Sequence, residues 1–450
     1  MSEFLFERLS EAGKSPAVIL GNSQVSHREL LDLVVVFRDA LSGQMPAGSV
    51  VSFDGDYSAQ SVGLFLALLD LQMIIVPLSS DSSAHFDEFR EIAEVEYLIQ
   101  IDGQTPRITK TDRTASSELY RQLRAAEAPG LVLFSSGSTG KSKAIVQDLS
   151  RLLQKFLKRG KPQRMLIFLQ LDHIGGINSL LYTLANGGCL VTPSSRAPTE
   201  VARAIENHDV ELLPTSPTFL NLLLLSGALE QHDLSTLRLI TYGTEPMQAT
   251  TLERLREALP EVRLQQTYGL SEVGILRSRS KSSDSLWMQI GGAEFDLKIH
   301  GGTLWIRSDS AMLGYLNAPA PFDEEGYFDT GDMVEQDGEW IRILGRVSEI
   351  INVGGQKVYP AEVETVLLEM PEVADAVVYK IDNPITGASV AARVRTNEDL
   401  STRELKARLL LYCKDRMPSY KMPTRISISD EELFNERFKR MRKPKSATER

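Results

Sequence analysis

The chain reads as an α/β protein: a large N-terminal domain of mostly parallel sheet with helices and a small barrel-like β unit, followed by a smaller α+β C-terminal domain. Three observations predict this. Apolar strand-length runs alternate with helix-like stretches through most of the chain. Past Gln289 the texture changes to short runs broken by Gly and Asp, and past Gly345-Arg346 helix and strand patterns alternate again over enough residues to form a domain.

The strand-like runs are 50–53, 73–76, 131–134, 165–169, Cys189–Thr192 and 237–242, and the helix-like stretches include 29–41 and 199–207. Residues 61–78 are apolar enough to suggest a membrane span, but Asp70 and Gln72 interrupt them. They divide better into a buried helix through Leu71 and a strand at 73–76 that Pro77 closes, so no membrane is expected. Residues 296–300, Thr303–Ser308 and 340–345 fit a small antiparallel or barrel-like unit. In the tail, 360–370 and 402–417 predict helices, and 374–380 and 425–429 predict strands. The expected domains are 1–347 and 348–450.

With 450 residues the chain can bury a large core and divide into at least two domains. A formal charge of −11 argues against broad nucleic-acid affinity and confines any phosphate site to a local basic patch. Cys189 and Cys413 are too few for a disulfide framework or a cysteine-based zinc site, which fits a reducing cytoplasm. The first residues carry Glu3, Glu7 and Glu11 without a long apolar core, unlike a secretory signal.

The most informative stretch follows the apolar run 131–134: Ser135, Ser136, Gly137, Ser138, Thr139, Gly140, Lys141, Ser142 and Lys143. A buried strand delivers this loop to a sheet edge, where glycines let backbone N–H groups approach an anion and hydroxyl and ammonium groups complete the shell. It is not a Walker A loop, because Ser135 stands where that motif has its first glycine. The loop predicts polyphosphate binding and no particular chemistry. Thr267, Tyr268, Gly269 and Glu272 share a second glycine-punctuated loop. There Thr267 can bind phosphate, Tyr268 offers a face to a base, and Glu272 can hold the Mg²⁺ that accompanies ATP. Asp332, beside a glycine turn, could accept two hydrogen bonds from a ribose diol, and Arg346 could set a positive fork near phosphate or ribose.

Taken together these landmarks resemble the superfamily of acyl-adenylate-forming enzymes, which includes acyl- and aryl-CoA ligases, adenylation domains of peptide synthetases and luciferase-like proteins. The matching segments are 135–143, Leu171-Asp-His173-Ile-Gly-Gly176, Tyr242-Gly-Thr244-Glu-Pro, 267–272, 327–332, Gly345-Arg346, 351–362 and Tyr420-Lys-Met-Pro423, in the family's order. The resemblance implies that the C-terminal domain is mobile about a hinge at Ser348, where the family often has Asp. It also implies that 135–143 grips the β- and γ-phosphates, that Gly243, Thr244, Glu245 and Pro246 line the adenine, that Asp332 holds the ribose and that Glu272 sits by magnesium. His173 would lie at the acyl pocket, walled by Thr215 and Phe219. Gly354 and Gly355 would line a pantetheine channel.

Family members deliver a lysine from a Gly-Lys-x-x-Arg motif, with Thr or Asn four residues before the lysine. Asn435, Lys439 and Arg442 match, whereas Phe438 replaces the glycine, and Lys443 and Lys445 stand nearby as alternative cations. The implied chemistry is attack by a substrate carboxylate on the α-phosphate of ATP, release of pyrophosphate, and capture of the acyl-adenylate by a thiol. No protein nucleophile is required, so positioning and charge stabilisation carry the rate. The expected cofactors and partners are ATP, Mg²⁺, a small-molecule carboxylic acid, and coenzyme A or the phosphopantetheine of an acyl carrier protein. An enzyme that loads a carrier protein, or a non-catalytic nucleotide-binding relative, remains as an alternative. Neither the acid nor the oligomeric state is specified by the sequence.

Overall fold

The computed structural model describes residues 2–103, 105–136, 142–292, 294–397, 400–435 and 438–442. Two seven-stranded sheets form the larger part. One runs in the order Arg263–Gln266, Leu239–Tyr242, Leu212–Thr215, Arg164–Leu166, Cys189–Thr192, Pro16–Leu20 and Ser23–Ser26. Its neighbours pair in parallel, apart from the terminal hairpin of the last two. The second runs Gly314–Tyr315, Ser142–Asp148, Gly130–Ser136, Ile74–Leu78, Val50–Asp54, Tyr97–Asp102 and Thr105–Lys110. Only Gly130–Ser136, Ile74–Leu78, Val50–Asp54 and Tyr97–Asp102 pair in parallel; Ser142–Asp148 and Thr105–Lys110 pair antiparallel with the strands that precede them in the chain, and Gly314–Tyr315 pairs antiparallel with Ser142–Asp148.

Helix Ala59–Asp70 is buried along nearly its whole length and shares one core with Leu33 and Phe37 of helix His27–Leu41 and with Leu180 and Leu184 of helix Ile174–Ala185. A helix apolar on all sides requires such a central position, and among the described residues no helix is long and apolar enough to cross a membrane. Helix His27–Leu41 begins at a reciprocal capping box between Ser26 and Glu29. Pro77 does not close the strand as expected, because Ile74–Leu78 runs through it with Pro77 opposite Phe53. It lies past Ile75, the last residue paired with the Gly130–Ser136 strand, where a missing N–H is tolerated.

The small antiparallel unit is a six-stranded sheet that already begins at Ser278: Ser278–Ser280, Met288–Ile290, Trp340–Arg346, Phe328–Asp337, Thr303–Ser308 and Phe295–His300. The tail has its own core, including Ile351, Leu367, Val378, Val390, Leu409 and Ile426. There Val373–Asn383, Gly387–Thr396 and Arg425–Ile428 form a three-stranded sheet, with helices Pro360–Leu368 and Thr402–Cys413. The α/β class and the smaller C-terminal α+β domain are as the sequence predicts.

Candidate active site

A pocket opens where the chain leaves strand Arg164–Leu166 and enters helix Ile174–Ala185. It is lined by Asp81, Leu169, Gln170, Asp172, His173, Arg196, Thr244 and Lys439. His173 is the N-cap of the helix, and its Nδ1 accepts the Gly175 N–H at 3.1 Å. A neutral ring accepting at Nδ1 carries its hydrogen on Nε2, which is then a donor. The glycines after it are enforced by packing: a Cβ on Gly176 would stand 1.9 Å from the Gln170 carbonyl oxygen. Asp172 is buried and accepts from Ser79 Oγ at 2.7 Å and Ser82 Oγ at 2.8 Å. Arg196 pairs with Asp81 at 2.5 Å.

The next wall belongs to the segment after Leu239–Tyr242. A Cβ on Gly243 would meet the Thr267 carbonyl oxygen at 2.7 Å, so only glycine permits this close approach. Thr244 follows with φ +73, a left-handed backbone rare for threonine, which sets it in the pocket lining. Thr267 is tied back to Tyr242 O through its N–H (2.7 Å) and its Oγ1 (3.1 Å). Tyr268 is buried, and its hydroxyl donates to Asp332 Oδ2 at 2.5 Å, while Arg346 Nε lies 3.1 Å from Asp332 Oδ1. Asp332 and Arg346 face each other across an antiparallel pair, which fixes their spacing. Burial pushes the Asp332 carboxyl up, against the opposing pull of Arg346 and Tyr268.

Ser135 pairs with Lys143 and Ser136 with Ser142, so the two strands that flank the hydroxyl-rich segment run antiparallel beside each other. Gly137, Ser138, Thr139, Gly140 and Lys141 lie outside the described residues. Lys143 Nζ sits 4.9 Å from the centre of the Tyr315 ring, whose hydroxyl donates to Glu272 Oε1 at 2.8 Å. The structure thus brings the loop base and the predicted metal carboxylate into one chain of contacts. Among the described residues no group of three His, Cys, Asp or Glu forms a metal centre. A single carboxylate suits Mg²⁺ arriving with phosphate and water ligands, not a resident ion.

Lys439 lies on a C-terminal hairpin that reaches across to the larger part of the molecule. Asn435 holds it twice: its N–H donates to Lys439 O at 3.0 Å, and its Oδ1 accepts the Lys439 N–H at 3.0 Å. Phe438 in place of glycine does not keep Lys439 from the pocket; Lys443 and Lys445 lie outside the described residues. Glu245 and Pro246 follow Thr244 in the loop, where the Glu245 carboxylate accepts from Thr218 N at 2.8 Å and Arg440 N at 3.4 Å. Its side chain therefore serves the seam with the C-terminal segment. Thr215 ends its strand beside Gly243, whose N–H it accepts at 3.3 Å, and Phe219 packs against Phe168 with ring centres 4.5 Å apart. Ser348 occupies the short turn Val347–Glu349. Gly354 and Gly355 sit at an exposed hairpin tip, both with positive φ, with Gly354 N–H bonded to Thr386 O; they are not part of the pocket lining.

Sequence reasoning missed Asp81, Asp172 and Arg196 as pocket residues, and Arg440 as the seam residue beside Glu245. Asp172 alone carried a signal, its position beside His173.

This α/β architecture, with a pocket closed by a C-terminal hairpin, coincides with a known class. A model described as AMP-binding enzyme matches residues 5–316, and one described as AMP-binding enzyme C-terminal domain matches residues 362–437. The chain belongs to the AMP-binding enzyme family. Its relatives include a 2-succinylbenzoate–CoA ligase of Bacillus licheniformis, 30% identical over 69% of this chain and 68% of the relative. A CoA ligase of Mycobacterium tuberculosis is 31% identical over 66% of this chain, which spans 62% of that relative's length. Among solved structures, o-succinylbenzoate CoA synthetase from Bacillus subtilis with its acyl-adenylate intermediate superposes with a TM-score of 0.76 at 22% identity, covering 98% and 96% of the two chains. An amide bond synthetase from Marinactinospora thermotolerans gives 0.76 at 21%, covering 97% of each chain. These two likenesses show the shared fold.

Proposed function

We propose that the chain activates a small-molecule carboxylic acid with ATP, releases pyrophosphate, and passes the acyl group from the adenylate to the thiol of coenzyme A. The observation that carries this reading is the convergence of His173, Thr244 and Lys439, from three distant segments, on one pocket. In it the segment 135–143 takes the β- and γ-phosphates, Gly243 and Thr244 border the adenine, and the Asp332–Arg346 pair takes the ribose. Glu272 holds Mg²⁺, which neutralises charge on the phosphates when bound.

Attack by the acid's carboxylate on the α-phosphate needs no protein base, since the nucleophile is already ionised. It needs two anions held close together in line. Lys439 supplies the positive charge between them, and the Nε2–H of His173 orients the acid's oxygen. Thiol attack on the mixed anhydride then requires Lys439 to leave and another element to enter. We assign this exchange to rotation of residues 348–450 against 1–347 about Ser348, which would carry Gly354 and Gly355 toward the pocket. The two cysteines, both buried and unbridged, support a reducing cytoplasm. The test is incubation with ATP, Mg²⁺, coenzyme A and a panel of acids, read by mass spectrometry. Acyl-CoA and AMP in equal amounts support the proposal. Turnover of ATP to ADP, or no thioester with any acid, rejects it.

A further inference from the structure

We propose that Phe438 is a specificity-determining plug: the C-terminal hairpin inserts its ring into the wall of the acid cavity and limits the substrate to compact acids. The inference rests on the acid-activating reading above.

Phe438 has φ +52, a left-handed conformation that side chains with a Cβ rarely adopt. The chain thus places a bulky ring where its backbone favours glycine, so the ring's surroundings must offset the strain. Those surroundings belong largely to the N-terminal part. The Phe438 ring lies 5.1 Å from that of Phe168 and meets Phe219 edge-on at 5.5 Å. Phe434, from its own hairpin, stacks on it at 5.3 Å. The Ser216 hydroxyl donates to the Phe438 carbonyl at 3.1 Å and pins the backbone. Above the ring, at 5.6 Å, stands the guanidinium of Arg196, which also lines the pocket with Lys439.

Three consequences follow from this placement. The ring is anchored by the buried Phe168 and Phe219 behind the pocket lining, and it meets that lining at Arg196. Because it travels with Lys439, the cavity is closed only while the lysine is in place. Its volume, between Arg196 on one side and Phe168 and Phe219 on the other, is unavailable to an acid whose chain or ring would extend past the pocket lining. Compact acids meet no obstacle, whereas long-chain and aryl acids must displace an aromatic ring held on three sides.

The experiment uses the full chain and measures pyrophosphate release at saturating ATP over straight-chain acids of increasing length and over benzoate and phenylacetate. Wild type is expected to favour the shorter acids. Phe438→Gly is expected to raise the ratio of kcat/KM for long or aryl acids to that for short acids by about tenfold or more, with Phe438→Leu intermediate. Displacement of Lys439 in a variant would slow all acids alike and leave that ratio unchanged, so the ratio separates a specificity role from a positioning one. Phe434→Ala, which removes only the ring on the hairpin side, should retain the wild-type ranking. An unchanged ratio in both Phe438→Gly and Phe438→Leu overturns the plug while leaving the ligase reading intact. Pyrophosphate release with no acid in any variant overturns both.

Discussion

The Asn435 side chain accepts the backbone N–H of Lys439 at 3.0 Å, closing the hairpin that carries the lysine into the pocket. A polar residue four positions before the lysine is therefore part of how the cation is aimed. Asn435→Ala should remove about 1 kcal/mol of order from the hairpin and slow pyrophosphate release several-fold, with thioester formation from a supplied acyl-adenylate unaffected. Single-turnover kinetics of the two half-reactions would check this; equal slowing of both would remove the assignment.

Asp332 is held by Tyr268 and Arg346 from opposite sides, so its carboxylate is oriented before ATP arrives. Asp332→Asn should raise KM for ATP about tenfold or more, in line with loss of a charge-assisted hydrogen bond. Tyr268→Phe, which leaves the carboxylate in place but less restrained, should have a smaller effect in the same direction. An unchanged KM in Asp332→Asn would exclude ribose as its partner.

Several polar contacts define this seating of the C-terminal domain. Arg254 Nη2 donates to Leu368 O at 3.0 Å, Thr250 Oγ1 to Thr365 O at 3.2 Å, and Asn221 Nδ2 to Ala374 O at 3.3 Å. If the domain must leave this position for thiol transfer, Arg254→Ala should weaken the first half-reaction several-fold and leave the second unchanged or faster. Slowing of the thiol step alone would contradict the assignment of this arrangement to adenylate formation.

Glu364 is fully buried, with Arg442 Nη2 at 3.3 Å and Arg440 Nε at 3.9 Å. Burial pushes its carboxyl up, but Arg442 and Arg440 together hold it below its ordinary 4.5. The unfolded chain therefore takes up this proton first as pH falls. The stabilisation is complete above pH 4.5 and is lost as pH drops through the lower folded value. Glu364→Gln leaves two buried guanidinium groups short of charge and should destabilise the C-terminal domain by about 3–5 kcal/mol near neutrality. The deficit should shrink on acidification. Thermal melts of both proteins from pH 7 to 3 would show the gap narrowing; a constant gap would contradict the linkage.

Much of what is proposed for the nucleotide side was legible in the sequence because its chemistry is local. The 135–143 segment, the Gly243-Thr244 step and the Asp332/Arg346 pair sit in short glycine- and hydroxyl-rich stretches. The surroundings proposed for the acid were not legible. Arg196 and Asp81 lie 115 residues apart and resemble any surface ion pair until the two sheets bring them together. Phe438 looked like a defect in a motif, since only the folded chain shows the rings that receive it. Pro77 misled for a related reason: whether a proline ends a strand depends on where the neighbouring strand stops pairing.

Acid-dependent exchange of labelled pyrophosphate into ATP, comparing the wild-type full chain with Lys439→Ala, tests the central claim most directly. The account predicts exchange with at least one acid in the panel, and its loss by about a hundredfold or more when the ammonium is removed. Exchange that proceeds undiminished in Lys439→Ala, or that occurs without any acid, would contradict it.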